Sequence, residues 1–296
     1  MKSPKCYLCG GKKVNLLYSV NQWNIYKCDS CLFIYVYPLL SRDELKALYL
    51  KFKANIFEKS NIILNDAKHS LNYFSKHRFG KKTLLDIGCG NGIFMDEAAN
   101  SGWSVTGIET SLDLFSYLKK TYTYKFIQGD ILTTHIKQKF DLVTLNQVIE
   151  HFSEPKLLIK RCYELLNNRG LIYIATPNIS SIVAKIRKND FDYVIPPEHL
   201  SYFNDKSLIR ILTNEGFQVI KVGTWSYPVD LAGLIKFFLG KRRSIVLNKS
   251  VNSDRERTFT KNIKYFLFDK IFCRMFYKFL NINNGGTMVE ILAQKQ

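Results

Sequence analysis

The sequence predicts an α/β fold: a mostly parallel sheet covered by helices on both faces. A small four-cysteine module precedes it, and a helical insertion interrupts it late in the chain. Three observations predict this. Strand-length apolar runs alternate with helical periodicity from Lys82 onward. Two Cys-x-x-Cys pairs lie near the start. A basic, aromatic-rich stretch separates the last two strand-like runs.

The cysteines come first along the chain. Cys6 and Cys9 form one pair, Cys28 and Cys31 the other, with 18 residues between the pairs. A two-residue gap lets two thiolates from one tight turn reach one ion, and a spacer of about 15–20 residues folds as strands that bring the second turn opposite the first. Four sulfurs then surround Zn²⁺ at about 2.3 Å, as in a zinc ribbon. With the coordination sphere full, the metal is expected to be structural. Cys89, Cys162 and Cys273 have no partner spacing, and Cys162 falls on a helical pattern as a core residue.

The alternating units follow. Thr83–Ile87 reads as a strand, Ile93–Asn100 as a helix, Ser104–Glu109 as a strand and Leu112–Lys120 as a helix. Tyr124–Gly129 and Phe140–Leu145 are strands, Pro155–Leu166 a helix and Gly170–Ala175 a strand. Ligands of such sheets bind beyond the carboxyl ends of the strands, where the winding direction switches. Several polar residues fall there. Gly88, Gly90 and Gly92 follow the first strand, so the backbone can turn sharply and approach a ligand. The third glycine comes too early for a dinucleotide fingerprint. Asp86 stands on the strand just before the loop, where it repels pyrophosphate and favours a ligand carrying an ammonium and a sulfonium. Glu109 ends the second strand, placed to accept from two ribose hydroxyls. Asp130 ends the third, placed to accept from an adenine amine.

This constellation resembles the class I S-adenosylmethionine-dependent methyltransferases over about residues 70–225 plus a final strand. The resemblance implies a Rossmann-like sheet of seven strands, the last antiparallel, and Gly216–Val222 and Thr287–Ala293 read as the last two. It implies S-adenosyl-L-methionine as cofactor, held by Asp86, Gly88, Gly90, Gly92, Glu109, Asp130 and Asn146. Asn146 begins the strand-four ending Asn146-Gln147-Val148-Ile149-Glu150-His151, which is similar to that of the small-molecule branch.

The substrate side lies past the fifth strand, in Pro196-Pro197-Glu198-His199-Leu200-Ser201-Tyr202-Phe203. It resembles the His-Leu-x-x-Phe loop of small-molecule methyltransferases. The four-cysteine module joined to this core looks like the sugar C-methyltransferases of deoxysugar biosynthesis. Their Tyr-x-Glu-His element is matched by Glu198 and His199, but Pro196 stands at the tyrosine position, so oxygen methylation stands beside carbon methylation. A hydroxyl nucleophile needs a proton acceptor near neutral pH, and histidine supplies one. His199 is the candidate, with Glu198 orienting it and His151 as a second. The alternatives are that His199 only closes the pocket and that His151 caps the helix starting near Glu154. His69, His77 and His135 read as surface residues.

Charge narrows the function classes. The 296 residues carry 43 Lys+Arg against 25 Asp+Glu, a formal +18. Residues 1–80 hold 13 basic and 5 acidic residues, and 231–296 hold 13 and 4, whereas 81–230 hold 17 and 16. The core is nearly neutral, which argues against a nucleic-acid partner and against RNA methylation. Two rival classes remain: an RNA methyltransferase, favoured by the zinc-ribbon pattern and the high total charge, and a non-catalytic cofactor-binding partner protein. The leading reading is an enzyme that methylates an oxygen or carbon of a small molecule, a nucleotide sugar or surface-glycan intermediate. The start has no signal-peptide pattern and no run is long enough to span a membrane, which points to the cytoplasm. The insertion is read either as a cap over the pocket or as a surface for anionic lipid at the inner membrane face, with Phe259–Leu280 as an amphipathic helix. The implied division is 1–45 zinc-binding module, 46–80 helical linker, 81–224 and 285–296 core, and 225–284 insertion.

Overall fold

The computed structural model describes residues 4–50, 61–77, 79–227 and 284–296, together with Asp230, Gly233, Leu234, Phe237, Phe238 and Gly240. The helix expected at Phe259–Leu280, the Lys241-Arg242-Arg243 run and Cys273 lie outside the described residues.

The elements run β1 (Val14–Val20), β2 (Trp23–Cys28), β3 (Ile34–Tyr37), α1 (Arg42–Leu50), α2 (Asn61–Phe74), β4 (Thr83–Ile87), α3 (Ile93–Asn100), β5 (Ser104–Glu109) and α4 (Leu112–Thr121). They continue with β6 (Lys125–Gln128), β7 (Phe140–Asn146), α5 (Pro155–Leu165), β8 (Leu166–Pro177), α6 (Ile182–Arg187), β9 (Ser201–Tyr202), α7 (Asp205–Asn214), β10 (Phe217–Trp225) and β11 (Met288–Lys295).

Seven strands form one sheet in the order β10-β11-β8-β7-β4-β5-β6. The pairs β4–β5, β5–β6, β4–β7 and β7–β8 are parallel, and β11 runs antiparallel to both β8 and β10. This is the Rossmann-like architecture that the alternating pattern predicts. The chain leaves β4 toward β5 and β6, then returns to the other side through β7 and β8. The winding therefore reverses between β4 and β7, and a crevice opens beyond their carboxyl ends. Strand β4 is buried on both faces: Leu84, Leu85, Asp86 and Ile87 are all inaccessible or nearly so.

Strand β8 departs from the pattern. It begins at Leu166, before Gly170, because Leu166 already pairs with Phe140 and the register then shifts so that Leu142 meets Leu171. The extra residues bulge out with Arg169 at a φ of 59°. Cys162 is fully buried on α5, as its helical spacing predicts.

The N-terminal strands form a second sheet, β1-β2-β3-β9. Its fourth strand comes from the far part of the chain. Ile34 pairs with Tyr202 and Tyr35 with Ser201 in antiparallel register. The ring of Phe33 lies 5.5 Å from that of Phe203, and Cys6, Cys28, Cys31, Phe33 and Tyr35 share one apolar core with β7, α5 and α7. The module thus packs directly onto the residues that follow Glu198-His199. Among the described residues no helix is long and apolar enough to cross a membrane.

Candidate active site

The crevice between β4 and β7 is built from strand ends. The loop after β4 continues the ladder, with the amides of Gly88 and Cys89 donating to the carbonyl of Ile108 at 2.8 and 3.3 Å. Gly90 then takes a φ of 55°. A Cβ there would meet nothing closer than the Gly88 carbonyl at 4.0 Å, so the loop leaves space above it. A Cβ on Gly88 would strike Val148 at 2.8 Å and one on Gly92 would strike Leu118 at 2.7 Å. Those two glycines are required by protein packing as well as by their left-handed φ.

Three of the strand-end polar residues are brought to this rim. Asp86 is enclosed, and Thr144 Oγ1 donates to its Oδ1 at 2.7 Å. Burial pushes the Asp86 carboxyl up to about 7, against that hydrogen bond, with the nearby Glu109 charge pushing the same way. Asn146 lies beside it, with Ser70 Oγ donating to its Oδ1 at 3.3 Å and its buried Nδ2 making no well-formed hydrogen bond among the described residues. Glu109 accepts from the amides of Gly90 (3.0 Å) and Ser111 (2.9 Å), and burial raises its carboxyl. Asp130 stands further out, exposed beyond β6, its Oδ1 accepting from the Leu132 amide at 2.9 Å. Open space above a left-handed glycine, a buried carboxyl without an ion pair among the described residues and an unsatisfied amide donor fit a cationic, hydrogen-bonding ligand.

Beyond β7, Glu150, His151 and His199 come together, their donor atoms within 4.8 Å of one another. The imidazoles stand 4.9 Å apart and nearly perpendicular. His151 Nδ1 meets the carbonyl of Glu198 at 2.8 Å and His199 Nδ1 meets that of Tyr193 at 2.8 Å. A carbonyl only accepts, so each Nδ1 carries a proton. Thr176 Oγ1 donates to Glu150 Oε2 at 2.9 Å, whereas Glu150 Oε1 is buried without a hydrogen bond among the described residues. Burial raises the Glu150 carboxyl, and the charge of His151 opposes that rise. One carboxylate and two imidazoles are also a donor set that a divalent cation can use.

Sequence spacing brought His151 and His199 to notice but gave their orientation to other groups. His151 does not cap α5, whose N-cap is Glu154. Glu198 reaches the pair through its backbone carbonyl, on His151. Glu150 went without a role, although Glu-His occurs twice, at 150–151 and 198–199, and that repetition is the available signal. Also missed were Asp66, Gln147 and Tyr227. Tyr227 Oη donates to Asp66 Oδ2 at 2.7 Å, and Gln147 Nε2 lies 3.4 Å from Tyr227 Oη. These residues carry no motif and meet only through the fold. His69 lies at the surface as expected, its side chain 40% exposed, with its Nε2 3.0 Å from Glu290 and its ring 4.6 Å from that of Trp225.

The four cysteine sulfurs also lie within 4.8 Å of one another. Cys6 and Cys31 are 3.5 Å apart and Cys9 and Cys28 3.6 Å apart. A tetrahedron with 2.3 Å zinc–sulfur bonds has edges of about 3.8 Å, so this set fits zinc. The two turns share one hydrogen-bond pattern. Cys6 N donates to Gly11 O and Gly10 N to Cys6 O, while Cys28 N donates to Phe33 O and Leu32 N to Cys28 O. A Cβ on Gly11 would lie 3.1 Å from the Cys28 sulfur. The hydrogen bond from Cys31 draws the Cys6 thiol down to about 5.

The fold and strand-end carboxyls define the class of protein, an S-adenosylmethionine-dependent methyltransferase fold. The family model described as a methyltransferase domain matches residues 60–222, and the chain belongs to this class I methyltransferase family. Among curated proteins it is similar to the ubiquinone biosynthesis O-methyltransferases of Glaesserella parasuis (37% identical over 112 residues, 34% of this chain and 47% of that protein) and Nitrosomonas europaea (32% over 117 residues, 36% and 50%). The chain spans about half the length of these relatives. Among solved structures it is similar in fold to a SAM-dependent methyltransferase from Archaeoglobus fulgidus (19% identical, covering 84% of this chain and 98% of that one, TM-score 0.53). It is also similar to coclaurine N-methyltransferase bound to N-methylheliamine and SAH (16%, 82% and 76%, TM-score 0.51).

The Asp86 carboxyl gives a pH signature. Its unfolded value is about 4 and its folded value about 7. Between these the folded protein holds a proton that the unfolded chain has released, so stability falls as pH rises. Relative to Asp86→Asn, the wild type is expected to lose about 1.4 kcal/mol per pH unit from pH 5 to 6.5 in urea titrations. Parallel pH curves for the two proteins would show that Asp86 is already ionised there.

Proposed function

We propose that the protein transfers a methyl group from S-adenosylmethionine to a hydroxyl of a small-molecule acceptor, with His199 taking the proton. The observation that carries this is the His151–His199 pair beyond β7, each Nδ1 held by a backbone carbonyl and the two rings 4.9 Å apart. The names of the curated relatives, ubiquinone biosynthesis O-methyltransferases, favour oxygen as the methylated atom. So does Pro196, which stands where sugar C-methyltransferases carry a tyrosine.

Asp86, Gly88, Gly90, Gly92, Glu109, Asp130 and Asn146 would hold the cofactor. Bound S-adenosylmethionine would supply an electrophilic methyl group on sulfur. The chain's own part is to bind, align and manage a proton. Asp86 favours the positive end of the ligand, and Glu109 accepts from its hydroxyls. His199 Nε2 accepts the acceptor's hydroxyl proton, and the Glu150 carboxylate beside the pair favours the imidazolium that results. Alignment of the two reactants supplies several further kcal/mol. Four thiolates from Cys6, Cys9, Cys28 and Cys31 would hold a structural zinc ion.

Asp66, Tyr227 and Gln147 form a chain of hydrogen-bonding groups, and Tyr193, whose carbonyl holds His199, feels the charges of Asp66, Asp230 and Glu150. Such a chain suits a neutral, hydroxyl-bearing ring such as a sugar, with any phosphate lying outside it. The expected site of action is the cytoplasm.

A second reading is favoured by the Glu150–His151–His199 donor set, which could place a divalent cation against the acceptor hydroxyl. One experiment separates the two. His199→Ala is expected to lower turnover about 100- to 10,000-fold while leaving S-adenosylhomocysteine affinity within about twofold. Unchanged turnover would remove His199 from the reaction. Turnover lost on dialysis against EDTA and restored by Mg²⁺ or Mn²⁺, which thiolates hold poorly, would favour the cation.

A further inference from the structure

The four-cysteine module meets the segment after His199 through several polar contacts, and one of them comes from inside a cysteine turn. Tyr7 lies between Cys6 and Cys9, inside the first turn. Its half-buried hydroxyl donates to the carbonyl of Leu200 at 2.9 Å across 193 residues of sequence, and lies 3.2 Å from Ser201 Oγ. Its ring packs edge-on against Phe33 at 5.4 Å and Tyr35 at 4.6 Å.

Leu200 is the residue after His199, and its backbone is held at both ends. The Leu200 amide donates to the carbonyl of Glu150 at 2.9 Å. Its carbonyl accepts from the Val36 amide at 2.9 Å as well as from Tyr7. Ser201 Oγ donates to the carbonyl of Phe152 at 3.0 Å. The segment 198–201 is therefore stitched on one side to Glu150–Phe152, which carries His151, and on the other to the cysteine module. The Glu198 carbonyl, in the same segment, is the group that orients His151.

We propose that Tyr7 is a positioning residue, through which the metal-loaded cysteine turn sets the relative placement of His151 and His199. The turn fixes the Tyr7 backbone, the packed ring fixes the direction of its hydroxyl, and the hydroxyl fixes Leu200. Metal loss then loosens the histidine pair while leaving the cofactor rim, on β4 and β5, in place. The zinc ribbon acts as a splint for the catalytic loop, and its effect on the reaction runs through geometry. This rests on the reading of the cysteines as a zinc site and of the histidines as the proton-handling pair.

The test uses Tyr7→Phe, which removes one hydroxyl and keeps the ring, and Cys9→Ser, which weakens the metal site at its exposed corner. Zinc content is measured by atomic absorption, S-adenosylhomocysteine affinity by calorimetry, and the His151 and His199 imidazole signals and backbone-amide exchange by NMR. Tyr7→Phe is expected to retain zinc and bind S-adenosylhomocysteine within about twofold of wild type. Its two imidazole signals are expected to shift and its Leu200 and Val36 amides to exchange at least about tenfold faster, with the Leu85 amide unchanged. Cys9→Ser is expected to move the same signals. Unmoved imidazole signals in Tyr7→Phe would overturn the proposal, even if Cys9→Ser fails to fold. Wild-type protein without zinc would instead overturn the metal reading, and full turnover by His199→Ala the histidine reading.

Discussion

A carboxyl buried at the tip of the central strand is the constraint around which the site is arranged. Asp86 sits in an interior strand with apolar residues on both sides, receives one hydroxyl hydrogen bond and has no ion pair among the described residues. Burying a charge without a partner is costly, and the carboxyl responds by holding its proton to about 7. A cationic ligand reverses that balance. Left-handed Gly90 leaves open space beyond the strand, and Glu109 from the neighbouring strand accepts from its amide at 3.0 Å. The parallel sheet brings these groups together because β4 and β5 run in register, with Asp86 opposite Gly107 and Ile87 opposite Ile108.

The second organising contact is the pairing of β3 with β9. A two-residue strand contributes little by itself, yet it joins the cysteine module to the loop that carries His199. The junction is sealed by stacked and edge-on rings, Tyr7, Phe33, Tyr35 and Phe203, which bury apolar surface around the backbone hydrogen bonds. The module and the core share one interior, so the cysteine turns and the histidine loop are held in a common frame.

Much of this was legible in the sequence where the signal is local. The glycine loop, the acidic strand ends and the two Cys-x-x-Cys turns are each set by residues within a few positions of one another. Strand and helix periodicity located α3 and β5 to the residue. What was not legible depends on distant contacts. Nothing in Ser201-Tyr202 marks it as a partner of Ile34-Tyr35, because two residues carry no periodicity. The orientation of His199 by Tyr193 and of His151 by Glu198 uses backbone carbonyls, which every residue has. The chain of Asp66, Gln147 and Tyr227 joins α2, the end of β7 and the segment after β10, with no shared motif. The early start of β8 reflects a bulge opposite Phe140 that tertiary pairing decides.

The central claim is that Asp86 exchanges its proton for a cationic cofactor. Calorimetric titration of S-adenosylmethionine at pH 7, in two buffers of different ionisation enthalpy, counts the protons released on binding. A carboxyl with a free-state value of about 7 is half-protonated there, so release of about half a proton per cofactor is predicted, and most of it should vanish in Asp86→Asn. Absence of binding, or binding whose proton release is zero or unaffected by the substitution, would contradict the account.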